Sequence, residues 1–184
     1  SGVLARISRQ LHLDRPAVRA WMLYDWANSA MYVVIVTAIF PTFFSAVAAQ
    51  GLPPVEATYR FSLATTLGLT IIAVLSPILG AIADHSAAKK RLLGAFLAFG
   101  ASAVAAMFFI RHGQWEFAAL LFILANIGVN GSFVFYDSLL PHVAAPDEMD
   151  RISTAGYALG YLGGGLFLVA CLGIILAPAA FGLP

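Results

Sequence analysis

Five long stretches of this sequence carry no charged side chain: residues 26–55, 61–83, 92–110, 117–136 and 152–184. An α-helix needs about 20 apolar residues to cross a hydrocarbon core of about 30 Å, and lipid offers no partner to an unpaired backbone amide. Every stretch is long enough. The strands of a membrane barrel would alternate apolar and polar over about ten residues, and the run Ile71, Ile72, Ala73, Val74, Leu75 does not alternate. Composition agrees, with 61% hydrophobic and only 10% charged residues, against about 25% charged in a typical soluble domain. The fold class is therefore all-α, a polytopic transmembrane helix bundle. Its spans fall at about 26–48, 61–83, 92–110, 117–136 and 152–177.

The remaining charges orient these spans. Arg6, Arg9, Arg15, Arg19, Lys89, Lys90, Arg91 and Arg151 fall on one side, and only Arg60 and Arg111 on the other. The positive-inside rule puts the N-terminus in the cytoplasm of a multi-pass membrane protein, read here as one of the bacterial inner (plasma) membrane. Residues 1–20 read as a basic segment lying on that surface, with Val3, Leu4, Ile7 and Leu11 on one helical face, before a membrane domain over 21–184. The net charge of +1 gives no field to attract nucleic acid, and the single cysteine, Cys171, excludes an internal disulfide or a cysteine-built zinc site. His12, His85, His112 and His142 are scattered through flanks and loops, so neither a metal nor a cofactor is expected. The chain opens on Ser1 and stops shortly after the fifth span, which reads as a fragment.

Polar residues inside the spans are the candidates for function. Asp25, Asn28 and Tyr32 stand at i, i+3 and i+7 and form one stripe at the cytoplasmic entrance to span one. Asn126, Asn130 and Asp137 stand at i, i+4 and i+11 on span four. Amides exposed to lipid tails would cost several kcal/mol, so they must face protein or water. Interhelical hydrogen bonds would account for one asparagine; two on one stripe ending in a carboxylate suit the wall of a wet cavity. Between spans two and three, Gly80 would permit a close approach of helices, while Asp84 at a helix C-terminus and Lys89 and Lys90 at a helix N-terminus oppose the helix dipoles. On span five, Gly156, Gly160 and Gly164 are spaced by four, the small-residue ridge that lets helices touch.

Enzyme chemistry finds no support, since the sequence holds no G-x-S-x-G elbow, H-E-x-x-H pair or phosphate loop. An intramembrane aspartyl protease built on Asp25 and Asp137 ranks low, because the Gly-x-Gly-Asp partner motif is absent.

Tyr24 to Ala30 (Tyr-Asp-Trp-Ala-Asn-Ser-Ala) resembles the opening signature of the vacuolar effluxer-like transporters, relatives of the autophagy-related amino-acid effluxer within the major facilitator superfamily. Gly80 to Arg91 is similar to that superfamily's loop between helices two and three, with His85 and Ala87 where arginine and glycine are usual. Tyr136 to Pro141, Asp150 to Ser153 and the glycine-rich helix after them also resemble this family. The resemblance implies that these are five spans of the N-terminal half of a major facilitator fold, whose C-terminal half is the missing partner. It further implies alternating access for a small polar substrate, such as an amino acid, bound near the bilayer midplane. Asn28, Tyr32, Asn126 and Asn130 would line the path. Asp25, Asp84, Lys89, Lys90 and Asp137 would serve gating or coupling. The alternative class is a membrane subunit or sensor that carries nothing.

Overall fold

The computed structural model describes residues 13–85 and 87–182, and among them every regular element is helical. The amphipathic face proposed for Val3 to Leu11 lies outside the described residues. Helix α1 (Pro16–Ala30) continues through a π-helical segment (Met31–Ile39), one α-helical turn (Phe40–Phe43) and a second π-helical segment (Phe44–Ala48). Then follow α2 (Pro54–His85), α3 (Lys89–Ala106), α4 (Trp115–Val143) and α5 (Met149–Leu176). Short 3₁₀ turns, Met107–Phe109 and Pro178–Phe181, close α3 and follow α5. Among the described residues, five helical stretches are long and apolar enough to cross a membrane.

The helices overrun the charge-free spans. The first begins at Pro16 instead of residue 26, so residues 16–20 are helical and run on without a break into the first span. Helix α2 starts at Pro54 and α4 continues past Pro141. Hydropathy marks the thickness of the bilayer, whereas a helix ends where its backbone bonding ends. Proline in the first helical turn forfeits an amide that would be unpaired there anyway, which sets the starts at Pro16 and Pro54. Left-handed backbone turns the chain at Gly51, φ 95°, after the first helix, at Gly113, φ 78°, between α3 and α4, and at Gly182, φ 68°, after the last 3₁₀ turn.

The chain divides into two compact units. One comprises α1, its first π-helical segment through Phe40, and the chain from Leu140 onward; the other is Pro41–Leu139. In the first unit α1 packs along α5. Between membrane helices the hydrophobic effect supplies no drive, so close van der Waals packing over small residues must hold them. A Cβ built at Gly156 would lie 2.6 Å from the Trp21 ring, and one at Gly164 would lie 2.7 Å from Val33 Cγ2. Trp21, Asp25, Ser29 and Val33, four residues apart, thus lie along a glycine ridge with the same period.

In the second unit α4 is the most enclosed helix, with Ala118, Phe122, Ala125, Ser132 and Phe135 at 1% exposure or less. It touches α2 at Gly68, where a Cβ would meet Asn126 Cβ and Ile123 Cα at 3.7 Å. It touches α3 where Gly100 and Gly128 bring two backbones together. The Phe61 ring sits 5.3 Å from Phe44 and 5.1 Å from Phe122. Ile72, Leu79, Ala83 and Phe135 form a second apolar cluster with Leu92 and Phe96 around them. The close approach expected at Gly80 is not made: a Cβ there meets nothing within 4 Å. Leu79 and Ala83 turn the packed face of α2 inward, and Gly80 lies off that face.

Candidate functional site

In the first unit the polar residues of α1 face into packed protein. Asp25 is 2% exposed and Asn28 4% exposed. The Asp25 carboxylate lies over Gly160, where a Cβ would sit 2.5 Å from both Asp25 Oδ2 and Ser29 Oγ. Only a residue without a side chain leaves room there for a carboxylate and a hydroxyl together. Asn28 Nδ2 is buried without a hydrogen-bond partner among the described residues. A buried amide donor left unmade costs about 1–3 kcal/mol, so its retention asks for an explanation.

Tyr32 stands one residue into the π-helical segment and is half-buried. Its carbonyl accepts from Thr37 Oγ1 at 2.8 Å, and the Phe40 amide donates to the Ile35 carbonyl, both across five residues. Such bonding puts more residues into each turn than an α-helix has. The stripe begun by Asp25 and Asn28 therefore cannot be extended past Ala30 with a 3.6-residue period. Segments of this kind are frequent at functional sites.

In the second unit Asn126 is 6% exposed and its Nδ2 donates to the Phe122 carbonyl at 2.9 Å, within its own helix. Asn130 is half-buried, and its Nδ2 donates to the Asn126 carbonyl at 2.8 Å. Asn126 presses against Gly68 of α2, so its amide is enclosed by protein. Asp137, eleven residues along, is exposed. Toward the end of α4, Lys89 Nζ donates to the Ser138 carbonyl at 3.4 Å, so the first residue of α3 reaches the chain next to Asp137. Asp84 and Lys90 are exposed, and Asp84 has no ion-pair partner among the described residues. Helix α2 ends at His85, directly after Asp84, and α3 starts at Lys89.

Two charged contacts stand outside the candidate residues. Arg15 Nη2 donates to Glu148 Oε2 at 2.8 Å, and the Ala145 amide donates to the same oxygen at 3.1 Å. This joins the residue before α1 to the residue before α5. Arg60 Nη2 pairs with Glu56 Oε1 at 2.7 Å, and its guanidinium lies 4.1 Å from the Trp115 ring centroid. The Glu56–Arg60 pair was legible as an i, i+4 spacing. Arg15 and Glu148, 133 residues apart, left no such signal.

With this geometry in view, comparison with known proteins identifies the chain's relatives. The family model described as vacuole effluxer Atg22 like matches residues 55–182. An uncharacterized MFS-type transporter, YxiO of Bacillus subtilis, is 36% identical over 166 residues, covering 90% of this chain and 39% of its own length. Autophagy-related protein 22 of Neurospora crassa is 33% identical over 106 residues, covering 55% of this chain and 14% of its own. The Coccidioides immitis protein of that name is 34% identical over 91 residues, covering 50% and 14%. The chain thus spans about two fifths of the bacterial relative and a smaller part of the fungal ones. No solved structure matches it. The family match takes in well over half of the residues, and the chain belongs to the vacuole effluxer Atg22-like family of multi-pass membrane proteins, within the major facilitator superfamily.

Proposed function

We propose that this chain is the N-terminal part of a secondary transporter that moves a small polar metabolite, such as an amino acid, across the membrane by alternating access. The observation that carries the reading is Asn28: a buried amide donor, unpartnered among the described residues, inside an apolar membrane helix. A donor held without a partner in one state is matched by an acceptor that arrives in another, and a substrate carbonyl or carboxylate supplies one. The π-helical segment beginning three residues later supports the same reading, because such segments inside α-helices are frequent at functional sites. Family membership and the transporter relative give the class.

In this reading Asn28, Tyr32, Asn126 and Asn130 line the path, with Asn126 holding its side chain against its own helix and Asn130 presenting more surface. Asp25 and Asp137 serve gating or coupling, and Asp84, Lys89 and Lys90 belong to a cytoplasmic gate. Gly156, Gly160 and Gly164 hold α5 against α1. The N-terminus is cytoplasmic, and the remaining half of the cavity comes from chain beyond this segment, as the length of the bacterial relative suggests.

The test is uptake and efflux of radiolabelled amino acids by vesicles containing the full-length protein. Wild type transports, and Asn28→Ala combined with Asn130→Ala slows transport about tenfold, the loss of roughly one hydrogen bond's worth from each site. Undiminished transport in the double variant overturns the site. A wild type that moves no solute favours a sensor or non-transporting subunit.

A further inference from the structure

Trp21, Asp25, Ser29 and Val33 of the first span sit along the glycine ridge of α5, and Val33 is the furthest along. The π-helical segment Met31–Ile39 begins within this contact and runs beyond it. Its composition weakens an α-helix there. Six of its nine residues, Val33, Val34, Ile35, Val36, Thr37 and Ile39, are β-branched, and such side chains crowd the preceding α-helical turn. Packing does not fix the segment either, since Val34 is its only buried residue, against five in α1.

The bonds inside the segment have counterparts in an α-helical winding. Thr37 Oγ1 donates to the Tyr32 carbonyl at 2.8 Å, five residues back, whereas Thr58, Thr65 and Ser76 of α2 each donate to the carbonyl four residues back. That shorter reach is the ordinary one in an α-helix, where Thr37 would take the Val33 carbonyl instead. The Phe40 amide, which donates to the Ile35 carbonyl, would likewise donate to Val36. Each of these donors has a partner in either winding, so neither leaves it bare in hydrocarbon. The two windings differ by one residue of register, about 100° of turn between the ends of the segment. Thr37 is exposed as it stands; wound as an α-helix, it would continue the series Trp21, Asp25, Ser29, Val33 that faces α5.

From these observations we infer that Met31–Ile39 is a rewinding element of the transport cycle. It alternates between π-helical and α-helical bonding while α1 stays seated on α5, and so turns Thr37 toward that helix and away from it. The inference rests on the transporter reading for what the turning serves. The existence of two windings stands or falls separately.

Deletion of Val36 in the full-length protein tests it. The deletion places Thr37 four residues after Tyr32 and Phe40 four after Ile35, so both five-residue bonds become α-helical ones with the same partners. Deletion of Ile71 from the α-helical α2 is the control, because there a lost residue turns the rest of the helix by about 100°. The Val36 deletion should melt close to wild type and the Ile71 deletion clearly earlier, while transport by the Val36 deletion falls at least about tenfold. In lipid nanodiscs, wild-type amides over Met31–Phe40 should exchange hydrogen at least about tenfold faster than those over Trp21–Ala30, and the Val36 deletion should abolish the difference. Equal exchange in the two wild-type stretches overturns the inference, whatever the wild type transports. So does a Val36 deletion that melts as early as the Ile71 deletion, or one that transports as fast as wild type. Fast exchange that the deletion abolishes, in a protein that moves no solute, upholds the rewinding and removes the transport reading instead.

Discussion

Gly160 on α5 and Asp25 on α1 are complementary: the missing side chain of one is the space that the other's carboxylate occupies. A Cβ at Gly160 would lie 2.5 Å from Asp25 Oδ2 and equally close to Ser29 Oγ. This explains in packing terms why a carboxylate 2% exposed can sit on a helix contact at all.

Gly160→Ala is therefore an overpacking change, expected to cost about 1–3 kcal/mol. Thermal unfolding of the detergent-solubilised protein measures it. Combining it with Asp25→Ala should recover part of the loss, with a coupling of about 0.5–3 kcal/mol, because the two residues share one space. Strictly additive effects would show that the carboxylate does not fill that space.

The contact between α3 and α4 should be less forgiving than the Gly80 region. A Cβ at Gly128 would collide with the backbone of Gly100, which cannot swing aside as a side chain can. Gly128→Ala should lower the melting temperature clearly. Gly80→Ala should be neutral or stabilising by about 0.5–1 kcal/mol, since it meets nothing and alanine is the better helix former. The reverse order would mean that Gly80 does make the approach.

Asn28 and Asn126 should respond differently to Leu. Replacing an unpartnered buried amide with an apolar group of similar size removes a desolvation cost, so Asn28→Leu should leave stability unchanged or raise it while transport falls. Asn126→Leu gives up a made bond to the Phe122 carbonyl and should cost about 0.5–1.5 kcal/mol. Melting curves paired with flux assays on the same preparations separate the two. An Asn28→Leu protein that melts early would reveal a bond to that amide.

The Arg15–Glu148 pair is partly exposed, at 36% and 14% of the side chains. Arg15→Ala should cost about 0.2–1 kcal/mol, and the effect should shrink in high salt. Glu148→Ala should cost more, because it also strips the Ala145 amide of its acceptor. Melting at low and high ionic strength, compared across the two variants, is the check.

Much of the architecture was legible beforehand. The charge-free runs give five membrane-crossing helices in the right order, and the short loop between Asp84 and Lys89 is a helix break in the structure too. The motif at Tyr24–Ala30 and the glycine helix pointed to the family that the comparison then identified. The ends of the helices were less legible. Residues such as Arg19, Glu56 and Arg151 are charged yet helical, since charge is excluded from hydrocarbon and not from helices. The π-helical turns of the first span were invisible as well, because they alter backbone bonding without changing hydropathy.

What the sequence alone determined is a property of single segments: a run of apolar residues must cross the bilayer as a helix, whatever its neighbours do, because its backbone can find partners only within itself. Which face of each helix meets protein is a property of pairs. Asn126 against Gly68 and Asp25 over Gly160 were decided only when helices far apart in the chain came into contact. Lipid solvates every apolar face equally well, so no hydropathy pattern selects the packed side, and close fit between small residues has to select it.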